Sequence, residues 1–413
     1  MDVLLVTLGT AGDVHPFAAL GSELMKRGHR VTLVTNDYFQ PLADRLGIRF
    51  KGIGSRDHYQ SVLANPDVWH PIRGFRILVR EMILGGMEPA FEAIEALSGD
   101  QTVVVAPCYV YGARVAREKL SIPTATVILQ PSSLWSSVDP AALSSLPGSL
   151  FLPPLIKTLM AKGLETFYLE PLLAPETNRF RKRLGLSPVS RVATRWLYSP
   201  DLVIALFPEW FGGPASDWPS QVIQTGFISH ESCDPLPVPD DCMEFLQQGS
   251  APIVFTPGSG HQHAARFFEA AAACNYLGRR GILLTGYHGH LPVVLPEGIR
   301  HFDYAPFDAV FPLCSAVVHH GGIGTMGKAL RAGVPQLIMP MAYDQPDNAQ
   351  RLRQLGAGAI LSPGKFTLGK VAETLDELVS SGPVRQRCVE LAGRVDTRAA
   401  LFETCIAIES LVS

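Results

Sequence analysis

The sequence predicts an α/β protein made of two doubly wound, parallel-sheet domains. Three observations predict it. Short apolar runs alternate with helical patterns, and the runs are apolar throughout, as strands covered on both faces are. The alternation stops at 229–241, where Pro235, Pro237 and Pro239 break any periodic pattern, and then restarts. The chain has 413 residues, too many for one ordinary domain at roughly 150 residues each.

Each element follows from its residues. Val3 to Val6 is a continuous apolar run that leads into glycines. Phe17 to Arg27 then reads as a helix closed by Gly28, and Arg30 to Thr35 as the next strand. Strand, glycine turn, helix and strand make one βαβ unit. Further strands are expected at Val103–Ala106, Thr124–Leu129, Val203–Phe207 and Val222–Thr225, with a helix from Tyr111 to Lys119. Residues 229–241 are the expected linker between a first domain, 1–228, and a second, 242–413. In the second half, Ile253–Thr256, Gly281–Thr285, Ala316–His319 and Gln336–Met339 read as strands. Ala264–Leu277 and Thr325–Ala332 read as helices. Val384–Val412 is expected to be helical and could pack back on the first domain. One stretch departs from the rhythm. Pro140 to Ala174 is rich in leucine, with Phe151, Met160, Phe167 and Tyr168. It reads either as a helical hairpin packed on the core or as an apolar flap facing an acceptor or a membrane surface.

Composition narrows the function. Hydrophobic residues make up 47% and charged residues 18%, which excludes wholesale disorder. The net charge of −3 offers no basic excess for a phosphate backbone, so nucleic-acid binding is not expected. Mean hydropathy is +0.16, so the chain either enters a membrane or buries much apolar surface and handles an apolar ligand. No run of 18 apolar residues occurs, so no membrane-spanning helix is expected. The start, Met1-Asp2, lacks the basic residues of a signal peptide, and the seven cysteines are dispersed with no CxxC pair. Both features lead to the expectation of reduced thiols in the cytoplasm, with peripheral contact at the inner membrane face left open.

Four places carry chemistry. His319-His320-Gly321-Gly322-Ile323-Gly324-Thr325 follows an apolar strand and opens a helix. Glycines let backbone N–H groups approach a ligand, and a helix start supplies orphan donors, so a diphosphate could sit here without a metal. The turn Pro257-Gly258-Ser259-Gly260 also follows a strand, and Ser259 could donate to the same phosphates. Asp344 and Gln345, at a later strand end, could hold sugar hydroxyls, or the loop could simply cap the next helix through Asp347 or Asn348. Asp13, after the first strand, could be a general base or an N-cap for a helix beginning near Pro16, and His15 is a rival base or an orienter. The pairs His261/His263 and His288/His290 lack nearby acidic or cysteine companions, so no metal site is expected.

These pieces in this order resemble the two-domain GT-B nucleotide-sugar glycosyltransferases of family 1. The resemblance covers nearly the whole chain. It rests on Gly12-Asp13-x-x-Pro16, Tyr304-Ala305-Pro306, His320-Gly321-Gly322 with Thr325, and Asp344-Gln345. Within that family the chain is most similar to the rhamnosyltransferases of rhamnolipid synthesis, through Ala11-Gly12-Asp13-Val14, Phe207-Pro208-x-Trp210-Phe211 and Ala305-Pro306-Phe307.

The resemblance implies an inverting, metal-independent transferase whose domains face each other across a cleft. Asp13 would deprotonate the acceptor bound by the first domain. Ser259, His320, Gly321, Gly322, Gly324 and Thr325 would meet the donor diphosphate, Tyr304, Ala305 and Pro306 the base, and Asp344 and Gln345 the sugar. Phe307 stands where plant members carry a glutamine, which is compatible with thymidine. The donor implied is dTDP-L-rhamnose, with UDP-glucose second. The acceptor implied is apolar, such as a 3-hydroxyalkanoyl lipid, with a flavonoid, macrolide or sterol as alternatives. A nucleotide-sugar epimerase and a non-catalytic binding partner of another enzyme are the remaining readings.

Overall fold

The computed structural model describes residues 1–70, 73–143, 152–258, 265–291 and 294–412. The chain divides into two compact units, Met1–His230 with Thr397–Ser413, and Glu231–Asp396. The divide falls inside the stretch expected to be a linker, and the helix Asp240–Gln247 begins within that stretch.

Among the described residues, the first unit holds a seven-stranded sheet. Its strands are β1 (Asp2–Val6), β2 (Arg30–Thr35), β3 (Arg49–Gly52), β4 (Thr102–Pro107), β5 (Thr124–Ile128), β6 (Leu202–Ala205) and β7 (Val222–Gln224). Their order is β3-β2-β1-β4-β5-β6-β7, and every neighbouring pair is parallel. The second unit holds β8 (Ile253–Thr256), β9 (Gly281–Leu284), β10 (Ile299–Phe302), β11 (Ala316–His319), β12 (Gln336–Ile338) and β13 (Gly358–Ile360). These also run parallel, in the order β10-β9-β8-β11-β12-β13. Each sheet therefore reverses its winding once, between β1 and β4 and between β8 and β11. Loops leaving the carboxyl ends of those two strands diverge there and leave a crevice, the usual ligand position in such sheets.

Alternate side chains of one strand feed opposite faces. Ile253 and Phe255 join a core with Phe267, Phe268, Val371 and Leu375, whereas Val254 joins one with Val310, Phe311 and Ala329. Burial on both faces is why β8 reads as an unbroken apolar run. The C-terminal stretch is two helices, Gly382–Ala392 and Thr397–Glu409, and not one. The second belongs to the first unit. Arg27 donates to Glu409 at 2.8 and 2.6 Å, His29 Nε2 lies 2.8 Å from the same carboxylate, and the hydroxyls of Thr225 and Thr404 are 2.8 Å apart.

The leucine-rich stretch departs from the expected hairpin. Residues 144–151 lie outside the described residues. Beyond them, the helices Pro154–Leu164 and Glu170–Arg183 continue into each other through a π-helical turn, Glu165–Leu169. Glu165 is buried, and it holds Arg191 at 2.8 Å and the hydroxyl of Thr194. The run's outer face is apolar: Leu155, Ile156, Leu159, Met160 and Phe167 are exposed at helical spacing.

Candidate functional site

The first constellation lies at the winding reversal of the first sheet. The helix after β1 runs Ala11–Lys26, with Thr10 as its N-cap, so it starts earlier than expected and Asp13 stands in its first turn and not at the cap. Thr10 donates to Asp13 Oδ2 through its N–H at 2.8 Å and its hydroxyl at 3.1 Å. Tyr109, from the loop after β4, donates its hydroxyl to Asp13 Oδ1 at 2.7 Å. This bond ties together the two loops that diverge at the reversal. Gly9 makes the turn possible: its φ is +111°, and a Cβ there would fall 2.4 Å from Asp13 Oδ2.

Burial pushes the Asp13 carboxyl above the ordinary aspartate range, and the bonds from Tyr109 and Thr10 act against this rise. Burial and the neighbouring Asp13 also hold the Tyr109 hydroxyl protonated, so Tyr109 remains a donor. A half-buried carboxylate with a raised proton affinity, fixed on both oxygens, is equipped to accept a proton from a substrate. His15 packs its ring on His230, with centroids 3.9 Å apart.

The second constellation lies at the reversal of the second sheet. The turn after β11 opens the helix Ile323–Ala332, with Gly322 at the N-cap. His319 is fully buried and shapes that turn. Gly321 N–H donates to its Nδ1 at 3.1 Å, so the ring proton is on Nε2, which lies 2.9 Å from Gln336 Oε1. Burial pulls His319 down to about 4, which keeps the ring neutral. His319 is thus scaffold, and His320 is the histidine at the turn. A Cβ at Gly322 would lie 2.3 Å from His320 Nε2, and one at Gly258 would lie 2.3 Å from His320 Cε1. The turns after β8 and β11 therefore close on the His320 ring. Gly321 has φ +94° and packs against Ile338 and the Gln345 backbone. Thr325 is nearly buried in the first turn of the helix, whereas a Cβ at Gly324 would meet nothing within 4 Å. Ser259 and the pair His261/His263 lie outside the described residues.

Asp344, and neither Asp347 nor Asn348, occupies the N-cap of the helix Gln345–Gln354. Asp347 sits in its first turn and pairs with Arg351 at 2.7 Å. Asn348 instead reaches back, with its Nδ2 donating to Asp344 Oδ2 at 2.6 Å and to Gly321 O at 3.0 Å. It thereby joins the sugar-candidate loop to the phosphate-candidate turn. Gln345 is buried, and its Oε1 accepts from the N–H groups of Met341 and Ala342 at 2.8 and 3.3 Å. Tyr343 adopts φ +61°, a conformation rare for a tyrosine, at the bend that presents Asp344. Tyr304 is exposed, Ala305 and Pro306 are buried, and Phe307 stacks on Phe311 at 4.6 Å.

Comparison with known proteins relates both halves of the chain to known family domains. Residues 3–134 match the glycosyltransferase family 28 N-terminal domain. Residues 282–407 match the erythromycin biosynthesis protein CIII-like C-terminal domain. The O-mycaminosyltylonolide 6-deoxyallosyltransferase of Streptomyces fradiae is 29% identical across 99% of this chain and 97% of its own. A sterol 3-beta-glucosyltransferase of Arabidopsis thaliana is 27% identical, across 91% of this chain and 60% of its own. The spinosyn rhamnosyltransferase SpnG, in a structure with thymidine diphosphate, shares the fold at TM-score 0.68 and 19% identity, covering 98% of this chain and 99% of that one.

The chain is a glycosyltransferase of the GT-B type.

Sequence reading of this glycosyltransferase missed Tyr109, which lies 96 positions from Asp13 and meets it only because β4 neighbours β1. Its position just past a buried strand was the available signal. Asn348 was read only as a possible cap, and its bond to Gly321, like the scaffold role of His319, depends on contacts between separate elements. His288 was expected to lack nearby acidic companions, and the fold supplies one. Its companions come from another strand, with Asp303 Oδ1 at 3.0 Å and the His301 ring 5.2 Å from its own. Among the described residues no helix is long and apolar enough to cross a membrane.

Proposed function

We propose that this glycosyltransferase moves L-rhamnose from dTDP-L-rhamnose onto a hydroxyl of an apolar acceptor, such as a 3-hydroxyalkanoyl lipid, with inversion at the anomeric carbon. The observation that carries transfer to a hydroxyl is the Asp13 carboxylate, held by Thr10 and Tyr109 at a sheet reversal with its proton affinity raised; the choice of donor and acceptor rests on the sequence resemblance. In the reaction, Asp13 takes the acceptor proton as the acceptor oxygen bonds to the anomeric carbon. The bond from that carbon to the diphosphate breaks, and its electron pair leaves with the nucleoside diphosphate. Backbone N–H groups at Gly322 and Thr325 and the His320 ring face the growing negative charge, where fixed dipoles count most. Asp344 and Gln345 hold the sugar, Tyr304 to Pro306 meet the base, and Ser259 adds a phosphate contact. His15 orients through His230 and does not act as the base. None of these steps calls on a metal.

The first unit offers room for an apolar acceptor. A half-open surface pocket of about 340 Å³ is lined by Arg76, Ile77, Val79, Arg80, Leu84 and Leu172, with the two arginines exposed. Much of its wall is the π-helical turn Val79–Leu84. The next residues run against the Asp13 loop, since a Cβ at Gly86 would lie 2.3 Å from Leu8 Cδ1. The exposed face Leu155–Phe167 is a second apolar surface, suited to a lipid-like acceptor or to peripheral contact with a membrane or partner enzyme. Transfer of glucose from UDP-glucose to a sterol is the second reading, favoured by the sterol glucosyltransferase relative.

Purified protein incubated with dTDP-L-rhamnose or UDP-glucose and each acceptor class decides among these, with product anomers read by NMR. Asp13→Asn is expected to keep the fold and bind thymidine diphosphate while losing about 10²–10⁴-fold in kcat, the usual worth of a general base. Near-normal turnover would remove Asp13 from that role. Epimerised donor in the absence of acceptor would overturn the transferase reading of the substrate pair.

A further inference from the structure

We infer that His288, His301 and Asp303 form a chelating site for one transition-metal dication of the zinc type, apart from the residues proposed for sugar transfer. The three residues arrive from different places. His288 stands on the short turn His288–His290 after β9, His301 is in β10, and Asp303 directly follows β10. Since β9 and β10 are parallel neighbours, with His301 beside Leu283, their carboxyl ends emerge together.

The distances suit an ion. His288 Nε2 lies 3.0 Å and His301 Nε2 3.6 Å from the same oxygen, Asp303 Oδ1. One ligand atom from each residue falls within 4.8 Å of the other two. Around zinc, with bonds of about 2.0–2.2 Å, tetrahedral ligand atoms stand roughly 3.3–3.5 Å apart. Two of the three edges already bracket that spacing, and the third is within 4.8 Å.

The donor set selects the ion class. Two imidazoles and one carboxylate suit zinc, cobalt, nickel or copper, whereas magnesium and calcium favour all-oxygen sets. One of the ligand nitrogens is already hydrogen-bonded within the protein. His301 is largely buried, and its Nε2 donates to Thr285 O at 2.8 Å, which holds the ring at the strand end. Nε2 is also the atom that would meet the metal, so an ion must displace this bond: the ring turns from Thr285 O toward Asp303, its proton moves to Nδ1, and the Nε2 lone pair faces the ion. His288 and Asp303 are exposed, so water completes the coordination and an ion can enter. The ion would pin the β9 turn to β10 one residue before Tyr304.

The test uses the full-length chain without a histidine tag, stripped with EDTA and titrated with zinc sulfate by calorimetry. Melting temperature is measured in parallel with zinc, magnesium and calcium salts. The expected result is saturable uptake of one zinc per chain and a rise in melting temperature with zinc alone. His288→Asn, Asp303→Asn and His301→Asn are each expected to weaken zinc affinity at least about tenfold, since outer-shell changes alone cost that much. His288→Asn changes an exposed turn, so it keeps the test sound if the His301 variant folds poorly. No saturable uptake, affinity unchanged in the His288 and Asp303 variants, or an equal response to magnesium would each overturn the site. No measurement here depends on sugar transfer, so failure of the proposed reaction leaves the result readable.

Discussion

Asp13 stands under opposing influences. Burial raises its proton affinity, whereas the donors Tyr109 and Thr10 stabilise the ionised form. A base must be ionised before it can act, so the acid limb of the pH–rate profile marks the titration of this carboxyl. Tyr109→Phe deletes one donor and leaves the burial. The Asp13 proton affinity must then rise, and the acid limb must move to higher pH. The expected outcome is a several-fold loss of kcat/KM on the acid side that recovers largely as pH is raised, read from rate profiles of the two proteins. A limb that stays in place would show that Tyr109 has only a packing role. The same variant separates Asp13 from His15 as base, because Tyr109 bonds to the carboxylate. Asp13 was legible in the sequence as a carboxylate just past a strand end. Tyr109 was not, because the strand order that brings the two together is a property of the fold.

At the level of elements, the buried strands were the legible part. The boundaries of β8 and β11 match their apolar runs, because strands covered on both faces tolerate little else. The strands β3, β10 and β13 were not read. All three are short and lie at a sheet edge, and β3 and β13 have no buried residue, so they carry no continuous apolar signal. The terminal helix Thr397–Glu409 was legible as a helix, but its anchoring was not, since Arg27 and His29 are more than 370 positions away. That anchor has a pH signature. The bond from Arg27 holds the Glu409 carboxyl down at about 2, against an ordinary 4.5. A depressed carboxyl contributes stability that is complete above the unfolded value and is lost as pH falls toward the folded one. The helix is therefore expected to loosen as pH falls from 4.5 toward 2, read by hydrogen exchange at 397–409. Glu409→Gln should flatten that dependence and lower the melting temperature at neutral pH. An unchanged exchange profile would mean that the buried face alone holds the helix.

For the whole molecule, the path of the chain sets what can be cut from what. The second unit is continuous, Glu231–Asp396, and contains all of β8–β13 with both apolar cores. The first is closed by residues from the far end of the sequence. Leu401, Cys405 and Ile408 are buried there, at about 1.5–3 kcal/mol for each large apolar side chain. Losing them would remove a large part of a domain's marginal stability. A fragment 231–396 is therefore expected to unfold cooperatively by itself. With the candidate donor residues Tyr304, His320, Thr325 and Asp344 all inside it, it should bind thymidine diphosphate within about tenfold of the intact chain, or about 1.4 kcal/mol. A fragment 1–230 should melt far lower or aggregate, and fusing 397–412 to its end through a flexible linker should restore it. Calorimetry and nucleotide titration on the three proteins check this. A 231–396 fragment that folds without binding nucleotide would remove the donor site from that unit, and a stable 1–230 fragment would show that the terminal helix is not part of the first unit's core.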